Sequence, residues 1–320
     1  MADSRIAVYG AIVANVAIAV TKFIVATVTG SSAMLSEGIH STVDSGNGML
    51  MLLGLRRSKR QATPEHPFGH GKELYFWTLI VGVLIFGVGG GVSVYEGILH
   101  ILHPSPLADP VWNYVVLGLA ALFEGASFLI ALRQFRAANP GTPFILALRR
   151  SKDPTTYTVI AEDGVALAGI LVAAIGIYAS DRFAAPVYDA AASIVIGLLL
   201  AVVAVILIRA SRELLIGEGV RPETAEAIRQ IARADPRVRA VGRPLSMYIG
   251  PDEVLLTLDV EFEPETPAED TAAAVRRIEA EIRRRFEKIK RIYIEARSLE
   301  SEGGQTPDLK TESVNTPART

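Results

Sequence analysis

The chain has 320 residues, half of them hydrophobic, with a formal net charge of −2 and a mean hydropathy of +0.33. Its apolar residues are bunched into blocks of about twenty, the length that crosses roughly 30 Å of hydrocarbon, and a wholly soluble chain of this size would not distribute them so. The net charge averages basic connections with an acidic end and says little about partners. The absence of cysteine excludes disulfides and thiolate metal sites, so any soft-metal chemistry must use His and carboxylates.

Six such blocks follow one another, at about Arg5–Val28, Ser32–Leu55, Leu74–Ile101, Val111–Phe135, Thr155–Ser180 and Ala190–Ile208. They predict an all-α, six-helix transmembrane bundle over residues 1–213. The first run is too long for the core of a signal peptide and has no small-residue cleavage site, so it reads as the first span. Arg56, Arg57, Lys59, Arg60 and Lys72 lie between the second and third blocks, and Arg136, Arg149, Arg150 and Lys152 between the fourth and fifth. The opposite connections hold only Arg182 among Lys and Arg. By the positive-inside rule both termini are cytoplasmic, and a bacterial inner membrane is the expected location.

The second block holds Glu37, His40 and Asp44 at spacings of three and four, which places them on one helix face. His40 and Asp44 at i and i+4 can share a metal ion. An ionised residue at mid-bilayer costs roughly 2.5–3.5 kcal/mol, so such a cluster is a functional candidate. In the third block Gly87, Gly89, Gly90 and Gly91 predict close helix packing. Glu124 in the fourth block is a bundle partner or a member of the ion path. The fifth repeats the anomaly with Glu162 and Asp163. Adjacent helical side chains point about 100° apart, so one faces the second span and the other a neighbour or water; Asp163 is the inward candidate. A buried structural hydrogen-bond network is the competing reading of the whole set.

His66 and His70, in TPEHPFGHGKE, flank Pro67 and Gly69 and are not expected on one regular helix turn. They read as a docking loop or a peripheral metal contact. From 214 to 298 the composition becomes that of a soluble domain. A helix over RPETAEAIRQIARAD, strands over VRAVGRPLSMYIG and EVLLTLDVEFEP, a helix over PAEDTAAAVRRIEAEIRRRFE and a strand over IKRIYIEARSL predict a small cytoplasmic α+β, ferredoxin-like unit. This part has no His and no Cys. Arg283, Arg284 and Arg285 read as a solvated helix face and not a nucleic-acid patch. Residues 299–320 have almost no apolar content and are expected to be disordered.

Four stretches carry a family resemblance: SSAMLSEGIHSTVD, HPFGHGKE, DGVALAGILVA, and DAAASIVIGLLL leading to RELLIGEG. The sequence resembles the cation diffusion facilitator family, six-span metal exporters with a cytoplasmic tail domain. The resemblance implies a tetrahedral mid-membrane site with two ligands each from the second and fifth spans. Carried over, these are His40 and Asp44, and Asp163. The fourth position, commonly His, is Val159 here. Glu162, Glu37 or Glu124 could complete the shell, or water could. An ion on neutral His40 and ionised Asp44 and Asp163 is nearly neutralised, whereas the empty carboxylates would be uncompensated, so protons should replace the departing metal. The expectation is a non-enzymatic, cofactor-free antiporter that exports a divalent cation, zinc first, in exchange for protons. The resemblance also implies a homodimer through the tail. Carboxylate-rich shells suit manganese or iron(II) as alternatives. A non-transporting scaffold or metal sensor is the reading from another class.

Overall fold

The computed structural model describes residues 2–104 and 109–297, without the side chains of 2–14, 145, 149 and 150. Helix α1 (Ala2–Thr29) runs for 28 residues and stops at Gly30, whose φ of 73° suits glycine. Ser31 then caps α2 (Ser32–Ser58) by accepting from the Met34 amide. Helix α3 (Glu73–Leu102) follows the histidine-bearing connection, and α4 (Val111–Ala138) runs back. A short helix, α5 (Phe144–Arg150), precedes α6 (Pro154–Phe183), whose first turn has Pro154 and an Asp153 carboxylate accepting from the Thr155 amide. Helix α7 (Val187–Ile216) completes this part. The tail unit begins at Glu218, and the chain divides there into two compact units.

Among the described residues four helices are long and apolar enough to cross a membrane: α3, α4, α6 and α7. Helix α2 has the length, at 27 residues, but its polar residues lower its mean hydropathy. Side chains such as Leu122, Leu171 and Val202 stay exposed on the outside of the bundle, as helices facing hydrocarbon require. The core is filled by Met34, Val81, Ile85, Ala173, Ile177, Ile196, Leu200 and Leu207. The expected helical boundaries shift by a few residues, and α5 was not foreseen. Its Ala147 is buried with Phe135 of α4 and Ile160 of α6, which a seven-residue apolar run cannot announce by itself.

Two features bind the elements that the sequence pattern leaves separate. The glycine row of α3 lies in a π-helical stretch, Ile85–Val92, against α7. A Cβ on Gly90 would lie 2.9 Å from the Gly197 carbonyl oxygen, and one on Gly197 would lie 2.7 Å from the Gly90 carbonyl oxygen. Backbone therefore meets backbone, and glycine is what allows it. The second feature is Asp189, fully buried in the first turn of α7. Its carboxylate accepts from Ser31 Oγ and the Ser32 amide, both at 2.6 Å, and from Ser32 Oγ at 3.1 Å and the Ala33 amide at 3.3 Å. An anion so placed answers the free amides and the positive end of α2.

In the tail unit α8 (Pro222–Arg233) is followed by β1 (Val238–Val241), β2 (Leu245–Gly250), β3 (Glu253–Phe262), α9 (Ala268–Arg285) and β4 (Ile289–Ala296). The expected single strand from 238 to 250 is two strands. Gly242, Arg243 and Pro244 interrupt it, since proline cannot donate to a ladder. Strand β3 is central: β1 pairs with it antiparallel (Val241 opposite Val260), β4 parallel (Val254 opposite Ile289 through Val260 opposite Ala296), and β2 also joins it. The parallel pair needs a crossover, which α9 supplies. Val254, Leu256, Leu258 and Val260, alternate residues on one face of β3, pack with Ile228 and Ala232 of α8 and Ile278 and Ile282 of α9. Arg283 and Arg284 pair with Glu279 and Glu281 on the exposed face of α9. Arg277 grips Asp235 with two bonds, 2.8 and 3.0 Å, tying α9 to the end of α8. The expected disordered segment, 299–320, lies outside the described residues.

Two outcomes test these joints. Asp189→Ala strands several buried donors and should destabilise the detergent-solubilised protein by about 2–3 kcal/mol, read by thermal unfolding, with Asp189→Asn costing less. The Arg277 hydrogen bond holds the Asp235 carboxyl below its ordinary value. Its stabilisation is therefore present above the unfolded value of about 3.9 and lost as pH falls through the lowered one. Arg277→Ala should raise the Asp235 titration, as followed by NMR of labelled aspartate.

Candidate functional site

Helices α1, α2, α4 and α6 meet around two polar tiers. In the first tier Asn15 Nδ2 of α1 approaches Asp44 Oδ2 of α2 at 3.5 Å, and Ser127 Oγ of α4 donates to Asp163 Oδ2 of α6 at 2.7 Å. All four residues line a cavity of about 310 Å³, together with Glu162 and Val159. The remaining wall is Ser45, Gly48, Met51, Leu52, Leu55 and Thr155. The cavity thus follows α2 for eleven residues from Asp44, about 16 Å along the axis, toward the end that leads into the basic connection.

Glu162 and Asp163 divide their duties as adjacent helical positions must. Glu162 turns to α2 and accepts from Asn47 Nδ2 at 2.8 Å, while Asp163 turns to α4. Both still line the cavity, so Asp163 is not the one inward carboxylate of the pair.

The second tier lies nearer the α1–α2 turn. Lys22 of α1, fully buried, pairs with Glu37 Oε2 at 3.0 Å and Glu124 Oε1 at 3.5 Å, and donates to Ser41 Oγ at 2.8 Å. The other Glu37 oxygen faces α6, where a Cβ on Gly169 would lie 2.5 Å from it. Each helix contributes to both tiers: Asn15 and Lys22 from α1, Asp44 and then Glu37 with Ser41 from α2, Ser127 and Glu124 from α4, Asp163 and Gly169 from α6. The offset is seven positions from Asn15 to Lys22 and from Asp44 to Glu37, about 10 Å of rise, six on α6, and three, less than one turn, from Ser127 to Glu124 on α4.

Of the residues proposed from the sequence, the cavity brings together Asp44, Glu162 and Asp163. His40 is not on its wall; it is buried one turn away, and its Nδ1 has no hydrogen-bond partner among the described residues. Glu37 and Glu124 stand in the Lys22 tier and not in the cavity. Among the described residues no group of three or more His, Asp and Glu side chains is arranged to hold a metal ion. His66 and His70 sit in non-helical turns with ring centroids 4.7 Å apart.

Sequence reasoning missed Lys22, Asn15, Asn47 and Ser127. Lys22 had a signal: it is the only charged residue between Ile6 and Val28. The other three are small polar residues of the kind that packs unremarked in any membrane helix.

The sequence profile of the cation efflux transmembrane domain matches residues 8–216. The mitochondrial proton-coupled zinc antiporter SLC30A9 of Mus musculus is 35% identical over 76% of this chain and 43% of its own length. Metal tolerance protein C4 of Arabidopsis thaliana is 33% identical over 81% of this chain and 57% of its own. Magnetosome protein MamM of Paramagnetospirillum magneticum is 24% identical over 94% of this chain and 90% of its own. The chain thus spans under half the length of the mouse relative it matches. A profile match over residues 8–216, with relatives about a third identical where they align, makes this chain a multi-pass membrane protein of the cation efflux family.

Proposed function

We propose that this protein exports a divalent metal cation, zinc first, from the cytoplasm in exchange for protons, as a homodimer joined by a ferredoxin-like tail. The observation that carries the reading is the cavity: Asp44 and Asp163, from different helices, line it together, and its lining runs along α2 to Leu55, next to the basic connection. In this reading α1 and α2 also cross the membrane, giving six spans, and both termini lie on the cytoplasmic side. The relatives named as a zinc antiporter and a metal tolerance protein support the substrate class.

The chemistry follows from charge. A dication entering the cavity neutralises Asp44 and Asp163, and Glu162 offers a third carboxylate on the same wall. When the ion leaves, the low dielectric favours replacement by protons, which links export to proton entry. Asn15 and Ser127 hold the two aspartates in orientation, the duty of groups that surround metal ligands. His40 joins the set if α2 turns or slides by a fraction of a helical turn as the ion binds. His66 and His70, beside the cytoplasmic mouth in this reading, are proposed as an ion-collecting pair.

Manganese or iron(II) is the second reading, and one feature favours it. The wall offers oxygen from Asp44, Glu162, Asp163, Asn15 and Ser127, while Val159 is apolar and no imidazole lines it. The test is uptake of zinc, manganese, iron(II), cobalt and cadmium into liposomes under a pH gradient. Proton-coupled uptake that falls to background in Asp44→Asn and Asp163→Asn supports export. Silence with every metal means a scaffold or sensor.

Two finer outcomes follow from the wall. Ser127→Ala and Asn15→Ala should each weaken apparent metal affinity by roughly tenfold while transport persists, measured as the shift in half-saturating concentration. Val159→His should favour zinc over manganese in competition uptake.

A further inference from the structure

We propose that Lys22 is a tethered cation that closes the path between the cavity and the outer face, and that its pairing with Glu37 and Glu124 is the outer gate of the transporter. The inference rests on the export reading for its orientation, and its test needs no transport.

Asn15, Asp44, Ser127 and Asp163 line the cavity at the end nearer the α1–α2 turn, and beyond them on the same helices lie buried His40 of α2 and the Lys22 tier. No residue of that second tier lines the cavity. The tier is closely packed: Lys22 and Glu37 are fully buried, Ser41 is buried beside them, the Glu124 side chain is 19% exposed, and the Glu37 carboxylate lies against α6 at Gly169. One ammonium thus spans α1, α2 and α4 through direct contacts, and Glu37 extends the block to α6.

The tier is also built to come apart. Glu37 Oε1 and Glu124 Oε2 are buried without a hydrogen-bond partner among the described residues. Two carboxylates therefore face one ammonium with oxygens to spare, an arrangement suited to a cation of higher charge. An ion moving outward from Asp44 and Asp163 passes the level of His40 and then meets these carboxylates, and it must displace Lys22 from them to pass. A tethered ammonium competes for the carboxylates without ever leaving the protein, so the path reseals when the ion has gone. A lysine serving only to stabilise the bundle would need no spare acceptors around it.

The absence of native cysteine makes the test clean. Gly48 lines the cavity, and a Cβ there meets nothing within 4 Å, so Gly48→Cys introduces a single tolerated thiol. In sealed vesicles of known orientation, a membrane-impermeant maleimide should modify this thiol from the cytoplasmic face only. Adding Lys22→Met should raise modification from the outer face by about tenfold or more, the change expected when the closed state loses about 1.4 kcal/mol against the open one. Lys22→Arg, which keeps the charge, should leave the outer face closed. Retained labelling from the cytoplasmic face shows that each variant is folded. Should Lys22→Met lose it, Glu37→Gln, which breaks the stronger contact from the other side, gives the same readout. Unchanged outer labelling in a folded variant overturns the proposal, as does equal labelling from both faces with Lys22 intact. No metal enters the assay, so a chain that transports nothing can still pass or fail it.

Discussion

The pairing of Lys22 with Glu37 and Glu124 is the constraint on which the transmembrane arrangement turns. A lone charge on a helix inside hydrocarbon costs several kcal/mol, and removing one partner of a buried pair leaves that cost unanswered. The three residues come from α1, α2 and α4, so satisfying one ammonium sets the rotation of three helices about their own axes. Residues seven positions along an α-helix lie on nearly the same face. The rotation that turns Lys22 toward Glu37 therefore also turns Asn15 toward Asp44, and the cavity floor inherits its geometry from the tier beyond it.

This dependence explains what could and could not be read in the sequence. The long apolar blocks were legible because the bilayer demands a fixed length, and Glu37, His40, Asp44, Glu162 and Asp163 were conspicuous because hydrocarbon tolerates so few ionisable groups. The assignment of partners was not legible. Helical spacing puts Glu37, His40 and Asp44 on one face, but the seven residues between the first and last span about 10 Å, so one face serves two separate tiers. Asn15, Asn47 and Ser127 carry no signal of their own, and each acquires a role only from the carboxylate that the fold brings opposite it. The break at Pro244 and the short helix α5 were missed for a different reason: both are decided by packing over a few residues, where periodicity has too little length to speak.

Helices α3 and α7 form the other half of the bundle and take no part in either tier. Their seam of glycine backbone, with carbonyl oxygens lying against the Gly90 and Gly197 positions, leaves no slack for sliding. Helix α2 belongs partly to this half, because Asp189 of α7 holds its first residues and Ser36 meets Ser193, which in turn donates to the Ser93 carbonyl of α3. The polar chain from α2 through α7 to α3 sits at the level of the Glu37 tier.

That anchoring decides which contacts can open. With the N-terminal end of α2 fixed to α7 and α3 by buried hydrogen bonds, the gate proposed above would part between α2 and the helices not so tied, α1, α4 and α6. The bonds crossing that boundary in the outer tier are those from Lys22 to Glu37 and Ser41, along with the approach of Glu37 to Gly169. At the inner end the crossing contacts are weaker: Asn15 to Asp44 is long, and only Asn47 to Glu162 is short. The conformation with a cavity toward the basic connections is thus the one in which the stronger set of contacts is made. In the proposed cycle, opening at the Lys22 tier would exchange an ion pair for hydrogen bonds, and a dication screening the carboxylates that hold Lys22 would offset that difference.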